Sequence, residues 1–334
     1  MLRYAHNLLS ANRFVFLIFS AYFIVDVVRC FHLAPHFNQD CGVTNGVAAR
    51  QPRVLNSPFY DDISNEFEER SEPINSTKYN QVPRLINGKE TQPGAWPWQV
   101  SLQLLHPKFG LIKHWCGGVL ILPSWILTAA HCIHNDLFSL QLAALWTAVL
   151  GEWDRDLDEN TEIRIPIENI FVHEHFNNFQ HDIALLKLSR ATGRYDKGIG
   201  TVCLPSGGEL SAPSICIATG WGKTSPKGQL SSTLRQIRVP LHNNTVCKAK
   251  YGSTIPIQSS HLCGGKLDGK FGACIGDSGG PLQCTLKDGR WFLAGITSFG
   301  SGCAKPGYPD VYTKLSFYMP WIKNQIDKYS RTNL

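Results

Sequence analysis

The sequence predicts an all-β protein over most of its length. Short runs rich in β-branched and aromatic residues are separated by Gly, Pro and Asn, and the first strong strand candidate is Ala95–Leu102. A long amphipathic helical pattern occurs only near the carboxyl terminus, over Tyr318–Tyr329. A chain of 334 residues can hold two average domains, or one large double-barrel unit preceded by an N-terminal segment.

The composition argues against two kinds of partner. Hydrophobic residues make up 43% of the chain, which is enough for a sizeable core. The formal charge of +6 is mild, and the basic residues are scattered along the chain. Because nucleic acids and membrane surfaces are bound by concentrated positive charge, we expect neither as a partner.

The first 30 residues are typical of a secretory signal peptide. Arg3 and Arg13 precede the apolar run Phe14–Val25, which Asp26 then interrupts. A helix that spans a bilayer needs about 20 apolar residues, so a cleaved signal fits this run better than a membrane anchor, the alternative. We therefore expect a secreted, extracellular protein that has no contact with a membrane once the signal is removed.

Residues 31–84 are interpreted as a pro-segment. This region contains the acidic stretch Tyr60–Glu69 and few long apolar runs, so it buries too little to fold alone. Asn75 here, and Asn243 further along the chain, begin Asn-X-Ser/Thr sequons and are expected to carry glycans.

The stretch Ala273–Leu282 has the features of a catalytic nucleophile. Ser278 is flanked by glycines, which permit a tight turn and allow backbone N–H groups to converge on one point. A serine hydroxyl attacks a carbonyl only if a base removes its proton, so a histidine and an orienting carboxylate are required. Candidates are His131, in Leu127–Cys132, and Asp182, which precedes an apolar run.

These three blocks, in the order His, Asp, Ser, resemble the chymotrypsin-like (trypsin-fold) serine proteases. The resemblance begins near Leu85 and extends to the carboxyl terminus. It implies two antiparallel six-stranded β-barrels with the active site between them and a C-terminal helix, so residues 85–334 form the protease domain. It also implies that Ser278 is the nucleophile, His131 the general base and Asp182 its orienting partner, with the N–H groups of Gly276 and Ser278 forming an oxyanion hole.

Eleven cysteines in a secreted chain indicate disulfide bonds with one cysteine left over, and Cys30 lies beside the signal. Sequence alone does not fix the connectivity, and reduced core thiols are the alternative. The family resemblance implies the pairs Cys41–Cys203, Cys116–Cys132, Cys216–Cys284, Cys247–Cys263 and Cys274–Cys303.

Arg84-Leu85 resembles the family's activation site. Cleavage after Arg84 would release the α-amino group of Leu85, which by resemblance inserts and pairs with Asp277. The family usually has Ile-Val-Gly-Gly at this point, and this chain has Leu85-Ile86-Asn87-Gly88. Leucine is apolar enough to insert. An ordinary exposed basic loop is the alternative interpretation.

The predicted specificity pocket departs from that of trypsin. The position six residues before Ser278 is Gly272, followed by Ala273, so no carboxylate lies at the floor. Asp310 instead occupies a position on the pocket wall where trypsin has glycine. The same resemblance assigns Ser298 to supporting the catalytic aspartate and Gly300 to binding extended substrate. It places two residues in outer subsites, Phe179 and Lys305.

The loop Glu152–Glu162 is acidic and resembles the trypsin calcium loop in length. No cofactor is required for the expected chemistry, but a structural calcium ion would take oxygen ligands from this loop. A solvated acidic loop is the alternative. The candidate ligands are the carboxylates and backbone carbonyls of Glu152, Asp154, Leu157, Glu159 and Glu162.

Together these features predict the secreted zymogen of a serine endopeptidase with broad specificity, apolar with some tolerance of basic side chains. The expected partners are protein or peptide substrates, an activating protease and serine protease inhibitors. The alternative is a catalytically silent homologue that acts as a binding protein, which the intact triad and Gly276 oppose.

Overall fold

The computed structural model describes residues 41–44, 88–135, 138–139, 141–193, 198–206, 215–270 and 272–332. The predicted signal at 1–30 and most of the pro-segment at 31–84, including the activation residues Arg84 and Leu85, lie outside them. Within the described residues, no helix is long and apolar enough to cross a membrane.

Strands dominate the described chain. In chain order they are β1 Lys89–Glu90, β2 Gln99–His106, β3 Gly110–Leu122, β4 Trp125–Thr128, β5 His134–Asn135, β6 Phe138–Ser139, β7 Trp146–Leu150, β8 Ile163–Val172, β9 Ala184–Leu188, β10 Cys216–Gly220, β11 Arg235–Arg238, β12 Leu241–His242, β13 His261–Gly264, β14 Pro281–Thr285, β15 Trp291–Phe299 and β16 Asp310–Lys314. The helices are α1 Ala130–Ile133, α2 Asn244–Tyr251 and α3 Leu315–Thr332, with a short 3-10 turn at Ala143–Leu145.

The first half of the strands forms a closed barrel in the order β2-β3-β4-β9-β8-β7. Its strands alternate as a half-buried sheet should: in β8, Ile165 and Ile167 are buried, whereas Arg164, Pro166 and Glu168 are exposed. Side chains therefore fill the interior of the barrel, and the barrel strands position the loops at its rim.

The strands from β10 onward, joined by β1, form one antiparallel sheet in the order β1-β11-β10-β14-β15-β16-β13-β12. The two outermost strands, β1 and β12, are only two residues long, and the six strands between them have four or more. The all-β fold class, with a C-terminal helix, is confirmed. The helix is longer than the sequence pattern predicted, and the short helix α2 was not predicted.

The C-terminal helix α3 packs on the core that includes the first barrel. Leu315, Tyr318, Ile322 and Ile326 are its buried residues, spaced three to four apart along one face. Burying one such aliphatic side chain contributes about 1.5–3 kcal/mol, so this face fixes the helix to the core.

The described residues contain five disulfides, which join the cysteines in the pairs that the family resemblance implies. Cys41–Cys203 spans a sequence separation of 162 residues. Next to it, the N–H of Gly42 donates to the carbonyl of Thr201 at 2.8 Å, and the carbonyl of Gly42 accepts from the N–H of Trp291 at 2.9 Å. The disulfide would therefore hold the pro-segment to the body of the protein after a cut at Arg84.

Candidate active site

His131 and Asp182 are brought together from the ends of neighbouring strands. His131 lies in α1, directly after β4, and Asp182 lies two residues before β9, which pairs with β4. The Nδ1 atom of His131 donates to Asp182 Oδ2 at 2.7 Å, and its backbone N–H donates to Asp182 Oδ1 at 2.9 Å. Because Nδ1 carries the proton, Nε2 has a lone pair that can accept a proton.

Asp182 is held by two further donors from the second half of the chain. Ser298 Oγ donates to Asp182 Oδ2 at 2.5 Å, and Thr313 Oγ1 donates to the backbone carbonyl of Asp182 at 2.7 Å. Burial alone would raise the pKa of Asp182, but the charge of His131 and the hydrogen bonds from His131 and Ser298 outweigh it and lower the pKa. The carboxylate is therefore ionised although only 1% of its surface is exposed.

The same pairing raises the pKa of His131. Burial alone would lower its pKa, but the negative charge of Asp182 and the hydrogen bond to it hold the pKa above the ordinary histidine value. A base with a raised pKa takes up a proton more readily, which suits a general base.

Ser278 sits on a loop that both halves of the chain fix in place. Its carbonyl accepts from the N–H of Gly117 in β3 at 2.8 Å, and the next residue, Gly279, donates to the carbonyl of Thr297 in β15 at 2.9 Å. Gly279 has φ +77°, and a Cβ there would lie 2.2 Å from Thr128 Oγ1, so only glycine fits. Within the described chain, no hydrogen bond joins Ser278 Oγ to His131, as is common before a substrate binds.

The backbone N–H groups of Gly276 and Ser278 are both available as hydrogen-bond donors. Among the described residues, neither N–H has an acceptor in the protein, whereas the N–H groups of Asp277, Gly279 and Gly280 all do. Gly276 has φ +100°, and a Cβ there would lie 2.5 Å from Leu230 Cδ2. These are the two N–H groups that the sequence prediction assigns to an oxyanion hole.

His114 fixes the Gly276 peptide, a role that no local sequence signal indicated. Its Nε2 lies 2.8 Å from the carbonyl oxygen of Gly276, and its Nδ1 lies 2.8 Å from Ser101 Oγ. Because a carbonyl only accepts, Nε2 must carry the proton and Nδ1 accepts from Ser101. Burial lowers the pKa of His114 to about 4, so the ring is neutral and holds this tautomer.

A cavity of about 330 Å³ opens beside Ser278. Four of the five residues predicted for substrate binding line it: Ala273, Ser298, Gly300 and Asp310. The fifth, Gly272, lies against Ala304 instead, where an added Cβ would come within 3.1 Å of the Ala304 Cα. Further lining comes from residues that the prediction did not assign to this cavity: Cys274, Ile275, Thr297, Phe299, Gly302 and Cys303.

Asp277, adjacent to Ser278, is a buried carboxylate that accepts only from backbone N–H groups among the residues that the structure describes. Its Oδ1 accepts from the N–H of Gly222 at 2.8 Å and its Oδ2 from the N–H of Cys274 at 2.9 Å. Burial outweighs these two bonds and raises the pKa of Asp277 to about 6. No cationic side chain of the described residues forms an ion pair with it.

The acidic loop at 152–162 is folded on its own backbone. Glu159 Oε2 accepts from the N–H groups of Trp153 and Asp154, and the carboxylate of Glu162 accepts from those of Glu159 and Thr161. Among the residues that the structure describes, no group of three or more His, Cys, Asp or Glu converges as a metal site.

Glu152 differs from the other carboxylates of this loop. Its Oε2 is buried without a hydrogen-bond donor. Burial raises its pKa, and nearby Ser101, Arg164 and Arg155 offset only part of that effect. Leu157, predicted to offer a carbonyl, has a highly exposed side chain and donates its N–H to the Asp154 carbonyl at 3.3 Å.

Three other predicted residues lie outside the triad and cavity. The ring of Phe179 lies 5.6 Å from that of His131, at the rim of the site. Lys305 places Nζ 4.1 Å from the ring centre of Tyr308. Asn243 is exposed at the N-cap of α2, where its Oδ1 accepts from the N–H of Thr245. This hydrogen bond does not use Nδ2, the atom that a glycan modifies. Asn75 lies outside the described residues.

Comparison with known proteins agrees with this geometry. The family model described as Trypsin matches residues 85–322. The chain is 41% identical over 251 residues to Transmembrane protease serine 7 of Mus musculus and 40% over 259 residues to that of Homo sapiens. These matches cover 73% and 75% of this chain but only 28% and 29% of those relatives, so the chain spans under a third of their length. Chymotrypsin-C of Bos taurus is 37% identical over 255 residues, which are 74% of this chain and 90% of that protein.

Proposed function

The chain belongs to the trypsin family of serine proteases, and from this premise we propose that it hydrolyses peptide bonds through an acyl-enzyme formed on Ser278. The observation that carries the proposal is the hydrogen-bonded His131–Asp182–Ser298 chain, whose Ser298 lines the same cavity as Ser278, together with two backbone N–H groups that have no acceptor, those of Gly276 and Ser278, among the described residues.

In the proposed mechanism, Ser278 Oγ attacks the scissile carbonyl while His131 Nε2 takes the hydroxyl proton. The oxyanion accepts from the N–H groups of Gly276 and Ser278, and one such donor is worth about 2.7–4 kcal/mol. His131 then gives the proton to the leaving amine. Water repeats the sequence on the acyl-enzyme, and Asp182 remains ionised and holds the imidazolium.

Covalent labelling tests the nucleophile directly. An organophosphorus reagent that phosphonylates activated serines should add its mass to the peptide that contains Ser278, and should block hydrolysis of a peptide substrate. Ser278→Ala is the control, and it should neither label nor hydrolyse. Labelling at another serine, or hydrolysis that survives in Ser278→Ala, would contradict the proposal.

We further propose that the protein is made as a zymogen and is activated by a cut between Arg84 and Leu85. Supporting this, the family match begins at Leu85, and Asp277 is a buried carboxylate that only backbone N–H groups contact among the described residues. An α-amino group arriving beside Asp277 would supply the positive charge that a buried carboxylate requires. The uncleaved Arg84→Gln chain should stay inactive in the presence of activating protease.

The proposed specificity is broad, with apolar side chains accepted and basic ones tolerated. The cavity contains one carboxylate, Asp310, on its wall, and its other lining is apolar or small. Turnover of matched Arg, Lys, Leu and Phe substrates checks this, and a preference for Arg above roughly a hundredfold would contradict it. A protease of this kind would cut its own Arg84 poorly, so activation requires a separate enzyme.

For the acidic loop we propose a structural calcium ion. The Oε2 atom of Glu152, which has no hydrogen-bond donor among the described residues, fits a cation. The carboxylates of Glu159 and Glu162 would give up hydrogen bonds from backbone N–H groups to bind the same ion. The calcium ion would stabilise the folded loop and would take no part in hydrolysis. Calcium should raise the melting temperature and a chelator should reverse this, with Glu152→Gln as the insensitive control. An unchanged melting temperature in the wild-type protein would remove the proposal.

Secretion is the last part of the proposal. Disulfides persist in extracellular compartments, and the described residues contain five. Two of the relatives are named as transmembrane proteases, so the competing outcome is an uncleaved N-terminal anchor. N-terminal sequencing of protein from the culture medium decides between them: a terminus near residue 31 supports a signal peptide, and retention of the chain in membranes contradicts it.

A further inference from the structure

Asp310 is a buried acid in the wall of the cavity that opens beside Ser278. Only 7% of its surface is exposed. Its carboxyl group fits between two glycine backbones: a Cβ at Gly300 would lie 2.9 Å from Oδ1, and a Cβ at Gly265 would lie 3.2 Å from Oδ2. Any side chain at these two positions would crowd the carboxyl group, so its place in the wall is fixed by the surrounding backbone.

The hydrogen bonding of Asp310 is uneven. Oδ2 accepts from the N–H of Ala273 at 3.0 Å. Among the described residues, no donor to Oδ1 is present, although this oxygen belongs to a residue that lines the cavity. One oxygen is therefore occupied by backbone, and the other is available to a ligand.

The titratable groups around Asp310 are acids and phenols. Asp277 faces it from the loop that carries Ser278, Tyr312 from its own strand β16 and Tyr251 from helix α2. The two approaching glycines directly follow β13 and β15. Within the described residues, no cation forms an ion pair with it. Burial, and then repulsion by Asp277, raise the pKa of Asp310 to about 7, although the Ala273 N–H opposes them. Both protonation states are thus populated near neutral pH.

We propose that Asp310 is a proton-operated specificity residue, which admits apolar side chains when protonated and the ammonium group of lysine when ionised. This inference rests on the proposed function, because it concerns the side chain on the amino side of the bond that Ser278 attacks. A neutral carboxyl group leaves the cavity without charge, so an apolar side chain can bind without removing water from a charged group. An ionised carboxylate in the same place lacks a partner, and the substrate ammonium supplies one.

Lysine is a better match than arginine for this geometry. A guanidinium binds a carboxylate most strongly through two parallel hydrogen bonds, which require both oxygens. Since Oδ2 already accepts from Ala273, Oδ1 is left for a single donor from a compact ammonium group. The test therefore uses lysine.

The experiment compares two peptide substrates that differ only in carrying lysine or norleucine at the cleaved bond. The activated protein is assayed with both between pH 5.5 and 9, a range in which the substrate ammonium stays protonated. The ratio of the two kcat/KM values cancels every group that acts on both substrates, including His131. We expect the ratio for lysine over norleucine to rise with pH as Asp310 ionises, by roughly tenfold to a hundredfold in total.

Two variants sharpen the result. Asp310→Asn keeps the shape but cannot ionise, so its ratio should not change with pH. Asp268→Asn removes the same charge from an exposed position on the nearby loop, and it should keep the pH-dependent ratio. If Asp310→Asn does not fold, the wild-type profile still decides, because a flat ratio in the wild-type protein overturns the inference.

The remaining outcomes are also decisive. A pH-dependent ratio that persists in folded Asp310→Asn overturns the assignment to this residue. Hydrolysis of the norleucine substrate with a flat ratio overturns the proton-operated wall and leaves the proposed function intact. Failure of the activated protein to hydrolyse either substrate at any pH overturns both.

Discussion

Two regions of this molecule bury carboxylates to a similar extent and treat them in opposite ways. Asp182, beside β9, accepts from His131 and Ser298, and its pKa is lowered. Among the described residues, Asp277, next to Ser278, and Asp310, in the cavity wall, accept only from backbone N–H groups, and burial raises their pKa values to about 6 and about 7. The number and charge of the donors, and not depth of burial, determine which acid is ionised.

The two regions differ in where the positive partner of the carboxylate comes from. The triad carboxylate carries its charge in the folded chain and needs nothing further. The two acids around the cavity lack a cation among the described residues, so each is available to a positive group from elsewhere. In our proposals that group is the α-amino group of Leu85 at Asp277 and a lysine ammonium at Asp310.

The largest effect should come from removing the charge of the first region. Asp182→Asn keeps the shape but reverses which nitrogen of His131 is protonated, so kcat should fall by about 10⁴-fold. Steady-state kinetics on an apolar peptide measures this, with Ser298→Ala expected to lose much less because two His131 donors remain. A loss below tenfold in Asp182→Asn would mean that His131 is oriented by other groups.

The next effect concerns Asp277 and depends on cleavage. In the chain cut at Arg84, Asp277→Asn should reduce kcat/KM by roughly 10²–10³-fold, since an ammonium buried without its partner costs about 3–5 kcal/mol. In the uncut chain the same substitution should change little. Equal activity of cut wild-type and cut Asp277→Asn proteins would disprove a role for this carboxylate in activation.

The pH profile of activity tests the first region without mutation. His131 must be neutral to accept the proton, and its pKa lies above the ordinary value of 6.5. Hydrolysis of an apolar substrate should therefore fall by up to about tenfold per pH unit as the pH drops below that raised pKa. A profile that stays flat down to pH 5 would contradict the raised pKa.

The smallest effect is on stability, and its sign differs between the regions. A raised folded-state pKa gives stability that is present below the unfolded pKa and lost as pH rises, whereas a lowered one gives stability that is lost as pH falls. At pH 8, Asp310→Asn should raise the melting temperature of the uncut chain by a few degrees, and Asp182→Asn should lower it. Near pH 4 the Asp310 difference should shrink, because Asp310 is then protonated in the folded chain, whereas the Asp182 difference should persist, because its stabilisation is lost only as the pH falls below the ordinary aspartate pKa of 3.8. Shifts of the same sign in both variants at pH 8 would contradict the comparison.

Much of this arrangement could be predicted from local sequence. Ser278, His131 and Asp182 each lie in a short block with a distinctive pattern, and their order along the chain carried the fold and the cysteine pairing by resemblance. The wall position of Asp310 followed from the same resemblance.

What the sequence did not indicate arises from contacts between distant segments. His114 contacts Gly276 across 162 positions, and Thr313 contacts Asp182 across 131, so neither has a local pattern. The raised pKa of Asp310 depends first on its burial and then on repulsion by Asp277, and two glycines leave room for the carboxyl group. Likewise, the donor-free oxygen of Glu152 is a property of packing around one atom.

The most direct test of the account is hydrolysis of a leucine or phenylalanine peptide by the purified chain before and after a verified cut at Arg84. Sequencing of the new terminus at Leu85 verifies the cut, and Ser278→Ala, cut in the same way, is the control. We predict activity that appears only after the cut and is absent from the Ser278→Ala protein. No activity in the verified cut chain would contradict the account and would favour a silent homologue that binds other proteins.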